Sequence, residues 1–299
     1  MIAPLNMWGK KGLPYPSFLA SELGETDPDQ SLFHVIPVPY EKTVTYGTGT
    51  GKGPSAILTA SQQLELFDGV SIPADMGIFT GTPLNCERLP ETVLGELSQQ
   101  VEDLVGRRKI PVILGGEHTI TGGALQGFGL FKRPVGVVQF DAHADLRDTY
   151  GGSPYNHACA MRRVLDYGFD LFQIGVRSLS LDEAVFRRDH QIGHLDAVDI
   201  AGGGIPPVIL PDDFPMNIYI SIDVDSLDPS LMPATGTPEP GGLTWFQMAE
   251  ALETIISGRN VVGFDVVELA PIPGFHSAEF TVARLIYNTM GVIFRNLQD

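Results

Sequence analysis

The sequence predicts an α/β fold in which helices cover both faces of a mostly parallel sheet. Segments typical of strands and of helices alternate through most of the 299 residues. The strand segments are almost continuously apolar, as expected where both faces of a sheet are buried. No internal repeat or linker interrupts this order, so we predict one domain over residues 1–299. Residues 1–30 are rich in proline, glycine and polar residues and are predicted to form an irregular N-terminal arm on the outside.

Proline and glycine delimit the elements of the first third of the chain. Prolines end the first predicted strand, His34–Tyr40, and a proline near the helix start begins the first helix, Pro54–Phe67. Between them, Tyr46–Pro54 is a glycine loop that lacks the first glycine and the Ser or Thr of a phosphate-binding P-loop. A helix over Pro90–Arg108 then precedes a buried strand, Pro111–Leu114.

The rest of the chain continues the same alternation. A Gly-Gly turn after the strand Pro111–Leu114 brings His118 to the start of a helix over Ile120–Phe128, which is typical of a βα loop. The later predicted strands are Val135–Phe140, Leu171–Val176, Asn217–Asp225 and Val261–Leu269. The later predicted helices are Ala158–Tyr167, Leu181–His190, Thr244–Ser257 and Ala278–Asn296.

Composition limits the class of protein and of partner. Hydrophobic residues make up 43% and charged residues 18% of the chain, which is typical of a folded domain. A net charge of −17 argues against nucleic acid or an anionic membrane as partner and suits a small cationic substrate. The sequence has no apolar run long enough to span a membrane and no signal peptide at its start. With only two cysteines, a disulfide framework is not expected, and we predict a cytoplasmic enzyme.

Potential metal ligands follow the strand Val135–Phe140. Asp141, His143 and Asp145 occupy alternate positions, so their side chains would converge on one side if the backbone stayed extended. Two carboxylates and an imidazole are costly to bury unless a cation neutralises them. This stretch therefore predicts part of a metal site.

Further acids and a histidine lie at the ends of three other predicted strands. They are His118, the pair Asp223 and Asp225, and Glu268. In open α/β sheets, ligands bind beyond the carboxyl ends of the strands, where these side chains would meet. Two histidines and four aspartates would suit two divalent ions, and oxygen and nitrogen ligands without thiolate favour Mn²⁺-like metals. Two such ions about 3.5–4 Å apart can share a water and lower its pKa, which predicts metal-assisted hydrolysis.

Motifs across nearly the whole chain resemble the ureohydrolase family, which includes arginase and agmatinase. They are GGEHT at 115–119, FDAHADLRD at 140–148, SIDVDSLDPS at 221–230, PATGTPEPGGLT at 233–244 and DVVELAP at 265–271. The resemblance implies a three-layer α/β/α sandwich and two metal ions, Mn²⁺ by preference. It implies as metal ligands His118, Asp141, His143, Asp145, Asp223 and Asp225.

The resemblance also implies the residues that handle the substrate. His157 matches the histidine that exchanges protons near the substrate, as a group titrating near neutral pH can. Glu268 matches the carboxylate that holds the guanidinium, and Thr237 adds a hydroxyl contact at the same end. The implied reaction cleaves a guanidino compound to urea and a primary amine. Family members form trimers or hexamers, so a homo-oligomer is expected.

Agmatine, hydrolysed to putrescine in polyamine biosynthesis, is the predicted substrate. Arginases carry a loop rich in Ser and Asn that grips the amino acid end of arginine, whereas the loop Thr149–Asn156 is short and poor in such groups. An acidic chain suits a substrate without a carboxylate. The alternatives are arginase, formimidoylglutamase, and a guanidinobutyrase with Arg147 or Arg177 on the carboxylate. A single-zinc deacetylase-like amidohydrolase and a silent binding homologue are further alternatives.

Overall fold

Eight parallel strands form one sheet at the centre of the protein. The computed structural model describes residues 15–131 and 133–298. Within these residues the strand order across the sheet is β2-β1-β3-β8-β7-β4-β5-β6, and every neighbouring pair is parallel. The predicted α/β class is therefore confirmed. The strands are β1 Phe33–Val38, β2 Ile78–Thr80, β3 Ile110–Gly115, β4 Val135–Phe140, β5 Asp170–Ile174, β6 Gly193–Leu195, β7 Asn217–Asp223 and β8 Asn260–Val267.

The sequence analysis identified six of these strands and missed two. The missed strands, β2 and β6, lie at the two edges of the sheet and have three residues each. A segment of that length contains too few residues to display a periodic pattern. One strand is also shorter than predicted: β7 ends at Asp223, and Val224–Ser226 form a 3₁₀ turn that contains Asp225.

Helices follow most strands and lie on both faces of the sheet. They are α1 Ala20–Leu23, α2 Gly53–Ala60, α3 Pro90–Gly106, α4 Ile120–Gln126, α5 Ala160–Asp166, α6 Leu181–Asp189, α7 Ala197–Gly203, α8 Trp245–Ile256 and α9 Ser277–Asn296. The helix predicted to reach Phe67 ends at Ala60 and continues only as a 3₁₀ turn, Ser61–Gln63. In the part of the chain that the structure describes, no helix combines the length and the apolarity needed to cross a membrane.

Two hydrophobic clusters cover the two faces of the sheet. Along β3, Val112 and Leu114 contribute to one cluster and Ile113 to the other, because successive side chains of a strand point to opposite faces. Helices α2, α8 and α9 pack in the first cluster, and helices α3, α4 and α5 in the second. This is the three-layer α/β/α arrangement that the motifs implied.

The predicted N-terminal arm is described only in part. Residues 1–14 of it lie outside the described residues. The described remainder contains helix α1, and Phe18 and Leu19 beside it are buried in the first hydrophobic cluster. The backbone N–H groups of Phe18 and Leu19 donate to Thr80 Oγ1 at 2.9 Å and Ser61 Oγ at 3.0 Å. This part of the arm is therefore packed into the fold rather than laid over its outside.

The four central strands of the sheet carry the predicted ligands. Strands β3, β8, β7 and β4 lie side by side in that order, and all four run in the same direction. Their carboxyl ends therefore meet at one edge, which brings residues from four distant segments of the sequence together.

Candidate metal centre and active site

His118 lies at the end of β3, on a loop that only glycine permits. A Cβ on Gly116 would lie 1.8 Å from the carbonyl oxygen of Tyr40, so no larger residue fits there. The loop then passes Glu117, whose N–H donates to the same carbonyl at 2.8 Å. The following His118 side chain is 1% exposed and points at the ends of the neighbouring strands. The Gly-Gly turn of the sequence thus positions a buried imidazole.

Three carboxylates surround one ring nitrogen of His118. Its Nδ1 lies 3.1 Å from Asp141 Oδ2, 3.1 Å from Asp145 Oδ2 and 3.4 Å from Asp223 Oδ2. None of these contacts has hydrogen-bond geometry, so Nδ1 has no hydrogen-bond partner among the described residues. His118, Asp141 and Asp145 present their ligand atoms within 4.8 Å of one another, close enough to hold one ion.

A second cluster lies beside the first and shares Asp141 with it. His143 Nδ1 lies 2.9 Å from Asp225 Oδ2 and 3.5 Å from Asp141 Oδ1. Asp141, His143 and Asp225 again have their ligand atoms within 4.8 Å of one another. The two clusters therefore use opposite oxygens of one carboxylate, an arrangement that suits two neighbouring cations.

The ligands after β4 do not converge in the way the sequence predicted. Strand β4 ends at Phe140, and Asp145 adopts a left-handed backbone conformation with φ 52°. His143 consequently turns towards Asp225, while Asp141 and Asp145 face His118. The three residues are thus divided between two clusters rather than placed around one point. Left-handed conformations are unfavourable for residues other than glycine and concentrate at functional sites.

The charges of these clusters are unbalanced without a cation. Burial and the neighbouring acids raise the pKa of Asp223 well above its usual range, and burial also raises the pKa of Asp145 and of Asp225. Burial alone would lower the pKa of His143, but Asp141 and Asp225 raise it to about 12. Each group is thus held in a protonation state by its neighbours. A divalent cation would replace the shared protons, because carboxylates and neutral imidazoles are its ligands.

The unpaired nitrogen of His118 is the observation that tests whether the residues fit a metal. Its other nitrogen, Nε2, lies 2.9 Å from Ser221 Oγ, and Ser221 Oγ donates to Asp265 Oδ1 at 2.7 Å. The single hydroxyl proton of Ser221 is used on Asp265, so the serine oxygen accepts from Nε2–H. The neutral ring therefore carries its lone pair on Nδ1, facing the carboxylates. That is the form in which histidine binds a metal, with the other nitrogen held by an outer residue.

A pocket of about 350 Å³ opens over these clusters. Asp145, His143, Asp223 and Asp225 lie on its wall together with the three predicted substrate residues, His157, Thr237 and Glu268. All residues of the predicted site except the buried His118 and Asp141 thus line one cavity. His118 and Asp141 lie directly behind it, in contact with Asp145 and His143.

Glu268 has the geometry expected of a group that binds a cation. It has a left-handed backbone with φ 65°, and its Oε1 accepts from the N–H of His118 at 2.7 Å. Its Oε2 accepts no hydrogen bond from the described part of the chain. Burial raises the pKa of Glu268 well above its usual range, and the Glu117 carboxylate adds to this. A cation entering the pocket would relieve the cost of ionising this carboxylate.

The two arginines considered for a substrate carboxylate differ in access. Arg177 donates to six backbone carbonyl oxygens, those of Gly175, Asp225, Ser226, Leu227, Glu239 and Pro240. Arg147 lines the pocket, with one nitrogen 3.8 Å from Glu183 Oε2 and its guanidinium carbon 4.9 Å from the ring centroid of Tyr150. Arg177 is therefore a structural residue, contrary to one alternative of the sequence analysis.

Sequence reasoning missed several residues that the site contains. Ser221 and Asp265 support His118, and Thr43 contacts both His157 and Glu117. Ser221 and Asp265 left a signal in the sequence, since each is a polar residue inside an otherwise apolar strand. Such a residue must find a hydrogen-bond partner in the core, and here the partner leads to a ligand.

Comparison with known proteins agrees with the site. The profile described as the Arginase family matches residues 31–291. The chain is 37% identical to an N(1)-aminopropylagmatine ureohydrolase of Synechocystis sp., over 92% of each chain. It is 33% identical to an agmatinase of Pyrococcus horikoshii, over 92% of this chain and 96% of that one. The crystal structure of agmatine ureohydrolase of Thermoplasma volcanium is similar with a TM-score of 0.82 and 30% identity, covering 90% of this chain and 92% of that one. The chain therefore belongs to the arginase family of ureohydrolases.

Proposed function

We propose that this enzyme uses two divalent metal ions, Mn²⁺ by preference, to hydrolyse a guanidino amine to urea and a primary amine. The observation that carries the proposal is the pair of imidazole–carboxylate clusters that share Asp141 behind a pocket containing Glu268. The ligands would be His118, Asp145 and Asp223 for one ion and His143 and Asp225 for the other, with Asp141 between them. A pair of such ions supplies a nucleophile near neutral pH by lowering the pKa of water.

The residues of the pocket would hold and protonate the substrate. Glu268 offers Oε2 to a guanidinium N–H, because Oε1 is already used by the His118 N–H. Thr237 offers a hydroxyl on the same wall. His157 would give a proton to the departing nitrogen as the C–N bond breaks, so that the product leaves as an amine.

The character of the pocket supports a substrate whose distant end is a cation or is neutral. Arg147 is the only lysine or arginine among the described residues that line the pocket, and Glu183 lies 3.8 Å from it. We therefore propose agmatine as the substrate. Its N(1)-aminopropyl derivative is the second candidate, since the relatives of that name cover 92% or more of this chain.

Urea release distinguishes these substrates directly. The Mn²⁺-loaded protein would be assayed with agmatine, N(1)-aminopropylagmatine, arginine and guanidinobutyrate, and formimidoylglutamate hydrolysis would be followed by its own product. We expect the highest kcat/KM with agmatine or its aminopropyl derivative. A higher kcat/KM with arginine or guanidinobutyrate would refute the substrate proposal. Asp223→Asn, with its fold checked by circular dichroism, should release no urea, and an active variant would refute the metal role of that residue.

Arg147 provides a matched test of the carboxylate alternative. In Arg147→Gln, kcat/KM for agmatine should stay within about threefold of the parent, because an exposed charge interacts weakly through water. If the parent instead prefers guanidinobutyrate and the variant loses that preference, Arg147 binds a carboxylate and the guanidinobutyrase alternative holds. The homologous alternatives with one zinc or without activity would be excluded by finding two ions per chain and turnover. A cytoplasmic location and a trimer or hexamer stay predictions, testable by fractionation and light scattering.

A further inference from the structure

Thr43 lies between a buried carboxylate and the imidazole of His157. Its Oγ1 is 2.6 Å from Glu117 Oε1 and 3.3 Å from His157 Nδ1, and it accepts from the backbone N–H of His157 at 3.1 Å. Thr43 is in the loop after β1, whereas His157 begins a 3₁₀ turn between β4 and α5. The threonine therefore joins two loops that meet at the pocket.

Glu117 fixes the direction of the Thr43 hydroxyl. Glu117 is 0% exposed, and its Oε2 accepts from the N–H groups of Lys42 and Thr43, each at 2.7 Å. Its Oε1 lies within 2.7 Å of the hydroxyls of both Thr43 and Thr119. Four donors surround a group that is an acceptor when ionised, so the only hydroxyl proton of Thr43 goes to Glu117. Towards His157, the threonine oxygen can then only accept.

We propose that Thr43, held by Glu117, is a positioning residue that keeps a proton on Nδ1 of His157 and leaves Nε2 to exchange protons in the pocket. This inference rests on the proposed function, in which His157 protonates the departing nitrogen. Nδ1–H donates to Thr43 both in the cationic ring and in the neutral ring. The proton on Nε2 can therefore pass to the nitrogen, as the C–N electron pair moves onto it, without rotation of the hydroxyl or the ring.

The opposite orientation would disable this transfer. If the Thr43 hydroxyl donated to Nδ1, the neutral ring would hold its proton on Nε2 and the cationic ring would lose its partner. The ring has one further neighbour in contact, Tyr150, whose ring lies edge-on with centroids 6.4 Å apart. Tyr150 restricts rotation of the ring but does not choose between its nitrogens, so the choice falls to Thr43.

Replacement of the hydroxyl tests the role through turnover. Thr43→Val keeps the shape and removes the acceptor, and it should lower kcat by about 10- to 100-fold with KM within about threefold, because general acids contribute about 10²- to 10⁴-fold. Thr43→Ser should restore kcat to within about threefold of the parent, since it restores the hydroxyl. In a His157→Ala background, Thr43→Val should change kcat by less than about twofold, because the positioned group is gone. Thr254→Val, which removes an exposed helix hydroxyl, is the control and should leave kcat unchanged.

The tautomer of His157 provides a readout that needs no turnover. The protein labelled with ¹⁵N-histidine and loaded with diamagnetic Zn²⁺ would be compared with Thr43→Val and Thr43→Ser by long-range ¹H–¹⁵N correlation, with His157 assigned by its absence in His157→Ala. We expect the neutral ring protonated on Nδ1 in the parent and Thr43→Ser, and on Nε2 in a larger share of Thr43→Val. A parent ring protonated on Nε2, or an equal loss of kcat in the His157→Ala background, would overturn the proposal. Absence of turnover with every guanidino compound would overturn the proposed function and leave the tautomer result to decide this inference alone.

Discussion

Ser221→Ala should weaken the binding of one metal ion and leave the other largely unaffected. The serine accepts from His118 Nε2 at 2.9 Å and donates to Asp265 Oδ1 at 2.7 Å, and it does not contact His143. Without it, the buried Nε2–H has no acceptor, which costs about 1–3 kcal/mol. The ring can avoid this cost by moving its proton to Nδ1, where the proton competes with the metal. We expect a 10- to 100-fold weaker affinity, about 1.4–2.7 kcal/mol, as for other outer residues that hold a metal-binding histidine.

Titration of the metal-free protein with Mn²⁺ by calorimetry would measure this effect. The parent should show two binding events, and in Ser221→Ala only one of them should weaken. Ser61→Ala is the matched control, because Ser61 is also fully buried and hydrogen-bonded but is remote from the ligands. It should reduce the free energy of unfolding without changing either affinity. If Ser221→Ala binds both ions as the parent does, or loses both equally, the assignment of Ser221 to His118 alone is wrong.

Three further predictions concern the metal ions. His118→Asn and His143→Asn should each retain one ion per chain by elemental analysis, whereas Asp141→Asn, which belongs to both clusters, should retain neither; equal loss in all three variants would contradict the shared ligand. Chelation should lower Tm, and metal returned at a hundred times its Kd should add about 2.7 kcal/mol to the free energy of unfolding, whereas an unchanged Tm would refute binding in the folded state. Metal affinity should rise with pH by up to about tenfold per unit for each proton displaced, because neighbouring carboxylates raise the pKa of His143 to about 12 and the ion competes with that proton; an affinity independent of pH between 6 and 8 would contradict this.

The fold and the location of the site follow from simple features of the sequence. Apolar strands that alternate with helices require a parallel sheet covered on both faces. Once the strands are parallel, their carboxyl ends share one edge, so His118, Asp141, Asp223 and Glu268 can be placed together without knowledge of the strand order. The residue types then indicate a cation, because buried acids need one.

Local backbone geometry could not be predicted in the same way. Asp145 and Glu268 have positive φ values, and no pattern of residue types in the sequence signals this conformation for an acid. The turn at Asp145 nevertheless decides which cluster each ligand joins. The three-residue edge strands β2 and β6 also depend on pairing with a neighbour rather than on their own sequence.

The two histidines at opposite sides of the site are held by the same device, used in opposite directions. In each case a buried carboxylate takes the proton of a hydroxyl, and the hydroxyl oxygen can then only accept from an imidazole. Ser221 contacts Nε2 of His118 and leaves Nδ1 to a metal, whereas Thr43 contacts Nδ1 of His157 and leaves Nε2 to the pocket. The ring nitrogen that each hydroxyl contacts thus determines whether its imidazole presents Nδ1 or Nε2 to the chemistry. Since each pair joins residues from different loops or strands, this assignment arises only when the sheet has assembled.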